Sequence, residues 1–198
     1  MLEEMPGQIL QRIARKRSLA SGQCVFQIGH PADAIFRVIS GEVQLYRYDL
    51  AGRQVLLHRA FGGDFFAEAS LDAEHYHCTA LCAQDSEIES FNSQQFRSLL
   101  ASNPSFQQFW ITHLSTELRR QRANVERLCL KSASERVEHF LMTEGEPAGE
   151  LKLQGTVSDF ADMLGLSREA LYRTLSKMKK NKTLTQQGST FKLVLPAE

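Results

Sequence analysis

The sequence predicts an α+β chain in three parts: an antiparallel β-sandwich or barrel over residues 1–102, one long helix over 103–130, and a winged helix-turn-helix over 131–198. Three observations predict it. The first hundred residues break into short apolar runs between turn signals. From Pro104 no glycine or proline interrupts the chain until Gly145. Residues 156–180 then set two capped helical segments around a single glycine.

The 198 residues carry 42% hydrophobic and 23% charged side chains, a globular balance that excludes a disordered chain. No stretch approaches the roughly 18 consecutive apolar residues of a membrane span. Residues 1–11 contain Glu3, Glu4 and Pro6 with no apolar centre, so no signal peptide is expected. Cys24, Cys78, Cys82 and Cys129 form no C-x-x-C pair, which points to reduced thiols and a cytoplasmic location, with no membrane partner.

In the first part, residues 25–28, 34–39, 42–48, 54–59, 77–83 and 87–91 read as strands. Gly29-His30-Pro31, Ser40-Gly41, Ala51-Gly52 and Phe61-Gly62-Gly63-Asp64 supply the turns between them. Short strands at this spacing exclude alternating βαβ units.

In the second part, Asn103 suits an N-cap and Pro104 the first helical position. Ile111, Leu114, Leu118, Gln121, Val125 and Leu128 follow a 3,4 repeat, the spacing of a coiled-coil seam. Arg119, Arg120, Arg122, Glu126 and Arg127 are expected on its flanks. A helix of this length, about 40 Å, needs a partner to cover such a stripe. Self-pairing into a parallel homodimer is the expectation, although the stripe could also pack on its own β part near Phe106, Phe109 and Trp110.

In the third part, Ser134 is expected to cap a short helix carrying Val137, Phe140 and Leu141, and Leu151 and Leu153 alternate as a strand after a turn at 144–149. Thr156 with Asp159 makes a capping box for a helix that buries Val157, Phe160, Ala161 and Leu164. Gly165 ends it, and Ser167 caps the next helix, which runs to Lys180. That is the grammar of a helix-turn-helix. On a helical wheel Arg168, Glu169, Tyr172, Arg173, Ser176, Lys177 and Lys180 share one face, while Leu171, Leu175 and Met178 share the other. Arginine reads guanine edges and glutamate accepts from cytosine, while lysines meet phosphates. Residues 183–186 and 190–195 around Gln187-Gly188 then form the wing hairpin.

Charge follows the same division. The net formal charge is zero, yet residues 1–102 hold nine basic and twelve acidic side chains, residues 103–130 hold four and two, and residues 164–198 hold seven and two. A basic end on a neutral chain suits nucleic acid, although a solvated lysine surface would give the same count.

With these residues in place, the chain resembles the cyclic-AMP receptor protein/FNR superfamily of bacterial transcription regulators over essentially its whole length. The stretch LGLSREALYRTLSKM resembles the recognition helix of that family, and FQIGHPADAIFRVISGEVQLY with GDFFAEASL resembles its sensor. The resemblance implies a jelly-roll β-roll of the cyclic-nucleotide-binding kind, a dimerisation helix and a winged helix. It implies a two-fold symmetric double-stranded DNA site read by Arg168, Glu169 and Arg173, with Ser167 on a phosphate. Tyr172, Lys177 and Lys180 join them as expected DNA contacts, and RNA polymerase is the implied partner.

The sensor departs from the pattern for cyclic nucleotides. In nucleotide-binding members a Glu after GDF serves the ribose and an Arg some ten residues on pairs with the phosphate. Glu68 matches the first, but around the second stand Tyr76, His77, Cys78 and Thr79, and Arg59 is the one arginine between residues 54 and 95. Gln121 and Arg122 replace the adenine-facing Thr-Ser of the long helix, and Arg122 is a helix cation that could reach a ligand anion. These departures argue against cyclic AMP, since a phosphate without its cationic fork loses about 1.5–3 kcal/mol per charge-assisted bond. An FNR-type iron–sulfur cluster needs an N-terminal cysteine group, where only Cys24 stands, and nothing singles out a haem ligand pair. The effector-binding candidates are therefore Glu68, His75, His77 and Cys78, of which His75, His77 and Cys78 could hold a transition metal or, through the thiol, sense redox state. Strand alternation puts His75 and His77 on one face and Cys78 with Cys82 on the other, so three ligands converge only at an irregular turn. Otherwise the cysteines are small core residues and the histidines surface groups.

Two alternatives stand beside a metal- or redox-sensing regulator. One is a regulator of the same fold with no effector, acting through its abundance. The other is a metal-dependent enzyme on a cupin-like β-roll, for which His58 with His75 and His77 would be the ligands. No nucleophile–base pair or Gly-rich phosphate loop occurs, so the chain is expected not to be an enzyme.

Overall fold

The computed structural model describes residues 5–146, 149–153 and 155–194. Glu3 and Glu4 of the predicted polar N-terminus, Pro147 and Ala148 of the predicted turn, Leu195 at the predicted hairpin end and Glu198 of the charge count lie outside those residues. The chain divides into two compact units, Met1–Ile111 and Thr112–Glu198.

Unit one is a β-sandwich with helices on one face. In chain order it contains α1 (Pro6–Ile13), β1 (Arg15–Leu19), β2 (Cys24–Phe26), β3 (Ala34–Ser40), β4 (Glu42–Tyr48) and β5 (Gln54–Phe61). Then come β6 (Phe65–Phe66), a 3₁₀ turn (Glu68–Ser70), β7 (Thr79–Cys82), β8 (Ser86–Asn92), α2 (Ser93–Ser102) and the start of α3 (Pro104–Cys129). Two four-stranded antiparallel sheets, ordered β1-β8-β3-β6 and β2-β7-β4-β5, enclose the core. Alternation sorts the side chains. Phe36 and Val38 of β3, Ile88 of β8 and Phe66 of β6 face inward, where Phe26 and Tyr76 stack with centroids 3.9 Å apart. Their neighbours Ile35, Phe91 and Phe65 face the other way and are covered by Ile9 and Leu10 of α1, Phe96 of α2, and Phe106 and Trp110 of α3.

One ion pair is sealed into this unit. Arg59 lies opposite Gln44 in the β4–β5 ladder and meets Glu42 Oε1 at 2.6 Å, with both side chains buried. Gln44 Nε2 donates to the same oxygen at 2.8 Å.

Most predicted strands are present with ends shifted by a few residues. The elements α1, β1, β6 and α2 are not among those expected from the sequence, and the 77–83 run is a strand only from Thr79, since His77 and Cys78 precede it. Asn103 caps α3 as expected, its Oδ1 accepting from Phe106 N at 2.9 Å.

Unit two holds α3 from Thr112, α4 (Ala133–Glu144), β9 (Glu150–Lys152), α5 (Val157–Met163), α6 (Arg168–Lys180), β10 (Leu184–Gln187) and β11 (Thr190–Leu193). Ser132, not Ser134, caps α4: its Oγ accepts from Glu135 N at 3.1 Å while Glu135 Oε2 accepts from Ser132 N at 2.9 Å. The box needs Glu at the third helical position, and only a cap at 132 puts Glu135 there. The predicted hairpin is present and gains a third strand, in the order β10-β11-β9. No helix of the described residues is long and apolar enough to cross a membrane.

Gly41 sits at φ +90° in the β3–β4 turn, and a Cβ there would fall on Ser86 Oγ and within 2.7 Å of Ser86 Cα. Gly52 has φ +76° in the β4–β5 turn with open space around it. Gly52→Ala should therefore cost about 1 kcal/mol for the left-handed backbone alone. Gly41→Ala should cost about 3 kcal/mol, because overpacking adds to the same strain. Urea unfolding of the two variants measures the difference, and equal losses would disprove the close approach at Gly41.

Candidate nucleic-acid interface and sensor region

The helix-turn-helix is built from local signals that all operate. Thr156 Oγ1 accepts from Asp159 N at 3.3 Å and Asp159 Oδ2 accepts from Thr156 N at 2.6 Å, opening α5. Gly165 closes it at φ +62°, with Leu166 N on Ala161 O at 2.9 Å and Gly165 N on Asp162 O at 3.1 Å. This is a Schellman turn, and it needs the left-handed residue that glycine supplies. Ser167 Oγ then accepts from Ala170 N at 3.1 Å, opening α6 two residues after the turn.

Arg136 of α4 holds this corner, a role that no sequence signal indicated. Its guanidinium donates to the carbonyls of Leu128 and Leu130 at the end of α3 and of Leu164 and Gly165 at the end of α5. A cation there satisfies carbonyls that helix ends leave unpaired. A Cβ on Gly165 would stand 2.9 Å from Leu128 Cδ2, so the same glycine also sets how near α3 lies.

The two faces of α6 divide as the wheel predicted. Leu171, Leu175 and Met178 are buried in a core shared with α4, α5 and the three-stranded sheet. Ser167, Arg168, Glu169, Tyr172, Arg173, Lys177 and Lys180 are exposed together on the other side. Among the described residues Arg173, Lys177 and Lys180 form no ion pair. Arg168 Nε donates to Ser158 Oγ of α5 at 2.6 Å, which orients it before any ligand arrives. Lys179 Nζ donates to Gln186 Oε1 of the wing at 3.1 Å.

On α3 the apolar side chains Ile111, Leu114, Leu118, Val125 and Leu128 are each 39–63% exposed, and Gln121 is exposed among them. Arg127 corrects the expected seam flank. It is 3% exposed, paired with Glu144 Oε1 at 3.2 Å and placed 4.5 Å over the Phe140 ring. The chemistry offered by α4 outcompetes solvent for this cation.

The sensor candidates do not converge. Ala67, left-handed at φ 63°, leads into the 3₁₀ turn that begins with Glu68. His77 Nδ1 lies 3.0 Å from Ser70 Oγ in that turn. His75 is exposed at a bridge with Pro31, and Cys78 is buried in the sandwich core. Among the described residues no three His, Cys, Asp or Glu side chains are placed to hold a metal, and His75, His77 and Cys78 are not brought together. The physical reason is that adjacent His77 and Cys78 point to opposite sides while His75 lies beyond the buried Tyr76. Burial also pushes the Cys78 thiol above its ordinary pKa, which suppresses the thiolate that metal and oxidant chemistry need. Burial and the nearby Arg47 hold His77 below the usual imidazole value.

Arg47 is the residue that the window between 54 and 95 could not show. The pairing Tyr46↔Thr79 brings β4 beside β7, and Arg47 Nε donates to His77 O. Tyr76 stands near the place where the resemblance implies a phosphate arginine. It is 3% exposed, stacked on Phe26, and its hydroxyl donates to Ala34 O at 2.8 Å. Burial pushes this phenol up to about 12.

Comparison with known proteins bears on both units. Residues 16–103 match the cyclic nucleotide-binding domain and residues 135–197 match the Crp-like helix-turn-helix domain. The cAMP-activated global transcriptional regulator CRP of Pasteurella multocida is 26% identical over 183 residues, covering 86% of this chain and 85% of its own. The fumarate and nitrate reduction regulatory protein of Vibrio cholerae is 23% identical over 198 residues, covering 96% and 79%. In structure, FixK2 from Bradyrhizobium japonicum superposes with a TM-score of 0.72 at 22% identity, over 91% of this chain and 92% of that one.

Arg136→Met removes four charge-assisted donors from helix-end carbonyls and should cost unit two about 2 kcal/mol. Thr156→Ala should cost about 1 kcal/mol through its lost cap. Thermal unfolding followed by circular dichroism measures both, and an Arg136→Met variant as stable as the parent would show that the corner stands without this residue.

Proposed function

This chain belongs to the cyclic-AMP receptor protein/FNR superfamily of DNA-binding transcription regulators, and we propose that it works in the cytoplasm as a homodimer reading a two-fold symmetric site with α6. The observation that carries this reading is the division of α6, which buries Leu171, Leu175 and Met178 and exposes Arg168, Glu169 and Arg173 at its N-terminal end. Arg168 and Arg173 take guanine edges and Glu169 a cytosine amino group in the major groove. Ser167, Tyr172, Lys177 and Lys180 take phosphates, which fix register without carrying sequence. The exposed apolar stripe of α3 supports pairing of two chains, and the pairing sets two α6 helices one helical turn of DNA apart. RNA polymerase is the partner that the family implies. The chain is a regulator and not an enzyme.

For the sensor, we propose an effector other than cyclic AMP. Tyr76 packed into the core supports this, as does the lack of any arginine on β7. Arg47 is the opposing consideration, being a cation beside His77 that comes from another strand. The four cysteines do not suit an iron–sulfur cluster, because Cys78 and Cys82 are buried among sandwich side chains while Cys129 lies at the end of α3. A regulator without an effector fits the same residues.

Arg168→Ala and Arg173→Ala should each weaken binding to an operator selected from random DNA by about 1–3 kcal/mol and relax one base position. Lys177→Ala should weaken all sequences alike and reduce the salt slope by about 1. Gel-shift titration with and without cyclic AMP checks these outcomes. Unchanged affinity of both arginine variants would overturn the readout, and strong cyclic-AMP stimulation would overturn the sensor proposal.

Leu118→Asp with Val125→Asp should leave a monomer in sedimentation, since a buried seam does not tolerate unpaired charge. A variant that sediments as a dimer would overturn the seam.

A further inference from the structure

Unit one contains a concavity that includes none of Glu68, Ser70, His77 or Cys78. It encloses about 640 Å³ at the end of the sandwich where β1 faces β2, within the ordinary range of small-molecule sites. Its innermost wall is apolar, the edges of the nearly buried Val25, Phe26, Phe36 and Tyr76, while polar His30, Asp33, Ser90, Asn92 and Gln95 line the rest. Its cationic wall is β1. Pairing sets Arg17 opposite Ile88 and Arg15 opposite Ser90. Ile88 is a core residue of the sandwich, so alternation turns both arginines toward the inward face. Their Cα atoms are about 7 Å apart, close enough for both guanidiniums to meet one carboxylate. Neither arginine forms an ion pair among the described residues. Both arginines line the cleft. Asp33 is the one acid among the lining residues, and its Oδ1 lies 3.4 Å from the Tyr76 hydroxyl.

Inward charge on an edge strand is a known guard against unwanted strand pairing, and β1 is an edge. Guarding requires neither a cleft nor an apolar wall beside the charges. Two forked guanidiniums beside such a wall match a planar carboxylate joined to an apolar arm. We propose that the cleft bounded by Arg15, Arg17, Phe26 and Tyr76 binds a small organic carboxylate, its anion on the two arginines and its apolar arm on the innermost wall. This site is independent of the DNA-reading assignment, because its occupancy is measured without DNA.

The experiment titrates the full chain with benzoate, using calorimetry and amide chemical shifts, beside benzamide, acetate and inorganic phosphate. Benzoate should saturate with a Kd of about 1 mM or tighter and shift amides of Val25, His30 and Tyr76. Benzamide lacks the charge and acetate lacks the arm, so both should bind at least about tenfold more weakly. Arg17→Gln and Arg15→Gln should each weaken benzoate about tenfold, and both positions are exposed enough to leave the fold intact. No saturation by benzoate, equal binding of acetate or phosphate, unchanged affinity of the double Gln variant, or shifts confined to Glu68 and His77 would each overturn the proposal. The shift map on the parent chain decides the matter even if a variant fails to fold.

Discussion

Two central strands, β3 and β8, carry apolar side chains on both faces, and the rest of unit one is arranged to cover them. One face takes the second sheet through Phe36, Val38 and Ile88. The other, through Ile35 and Phe91, must be covered too, and a sheet edge cannot do it. Hence α1, α2 and the beginning of α3 are recruited, contributing Leu10, Phe96, Phe106 and Trp110. Large buried aromatics dominate that second layer, and each is worth several kcal/mol of burial. The first turns of α3 are thus core residues, while farther along the same helix the apolar side chains stand exposed.

How much of this was legible in the sequence depended on how local each signal was. The caps at Thr156 and Ser167, the left-handed Gly165 and the wheel of α6 are written within a few residues of where they act, and each was readable. The strand β1 was not, because RKRSL has no apolar alternation and becomes a strand only through its ladder with β8. Helix α1 fully buries only Ile9 and Leu10, too few to set a period. Helical spacing placed Arg127 beside the seam, but spacing cannot say that Glu144 and Phe140 will claim it. Arg47 reaches His77 through strand pairing, a neighbour relation that no window of sequence contains. His75, His77 and Cys78 could meet only at an irregular turn; they do precede β7, yet His77 stays exposed and Cys78 buried, so the alternation that separates them persists beyond the strand.

In unit two the fixed points are helix ends. Arg136 gathers carbonyls from α3 and α5, and Ser167 starts α6 immediately after the turn, so the direction of α6 follows from a few polar contacts and one glycine. The broad buried core of this unit then holds that direction. Specificity in DNA reading needs such rigidity, because a bidentate contact tolerates little misplacement. The arginines at the N-terminal end of α6 therefore sit on the best-anchored part of the helix.

The sealed pair Glu42–Arg59 constrains how this protein can change over generations. Replacing either member alone leaves the other's buried charge without its counter-ion, at a cost of about 3–5 kcal/mol, comparable to the whole stability margin of a small domain. Replacing both with well-packed apolar residues can be neutral or favourable. Single-step routes away from the pair are closed and the two-step route is open. Positions 42 and 59 are thus coupled: a change at either one is tolerated only with a matching change at the other.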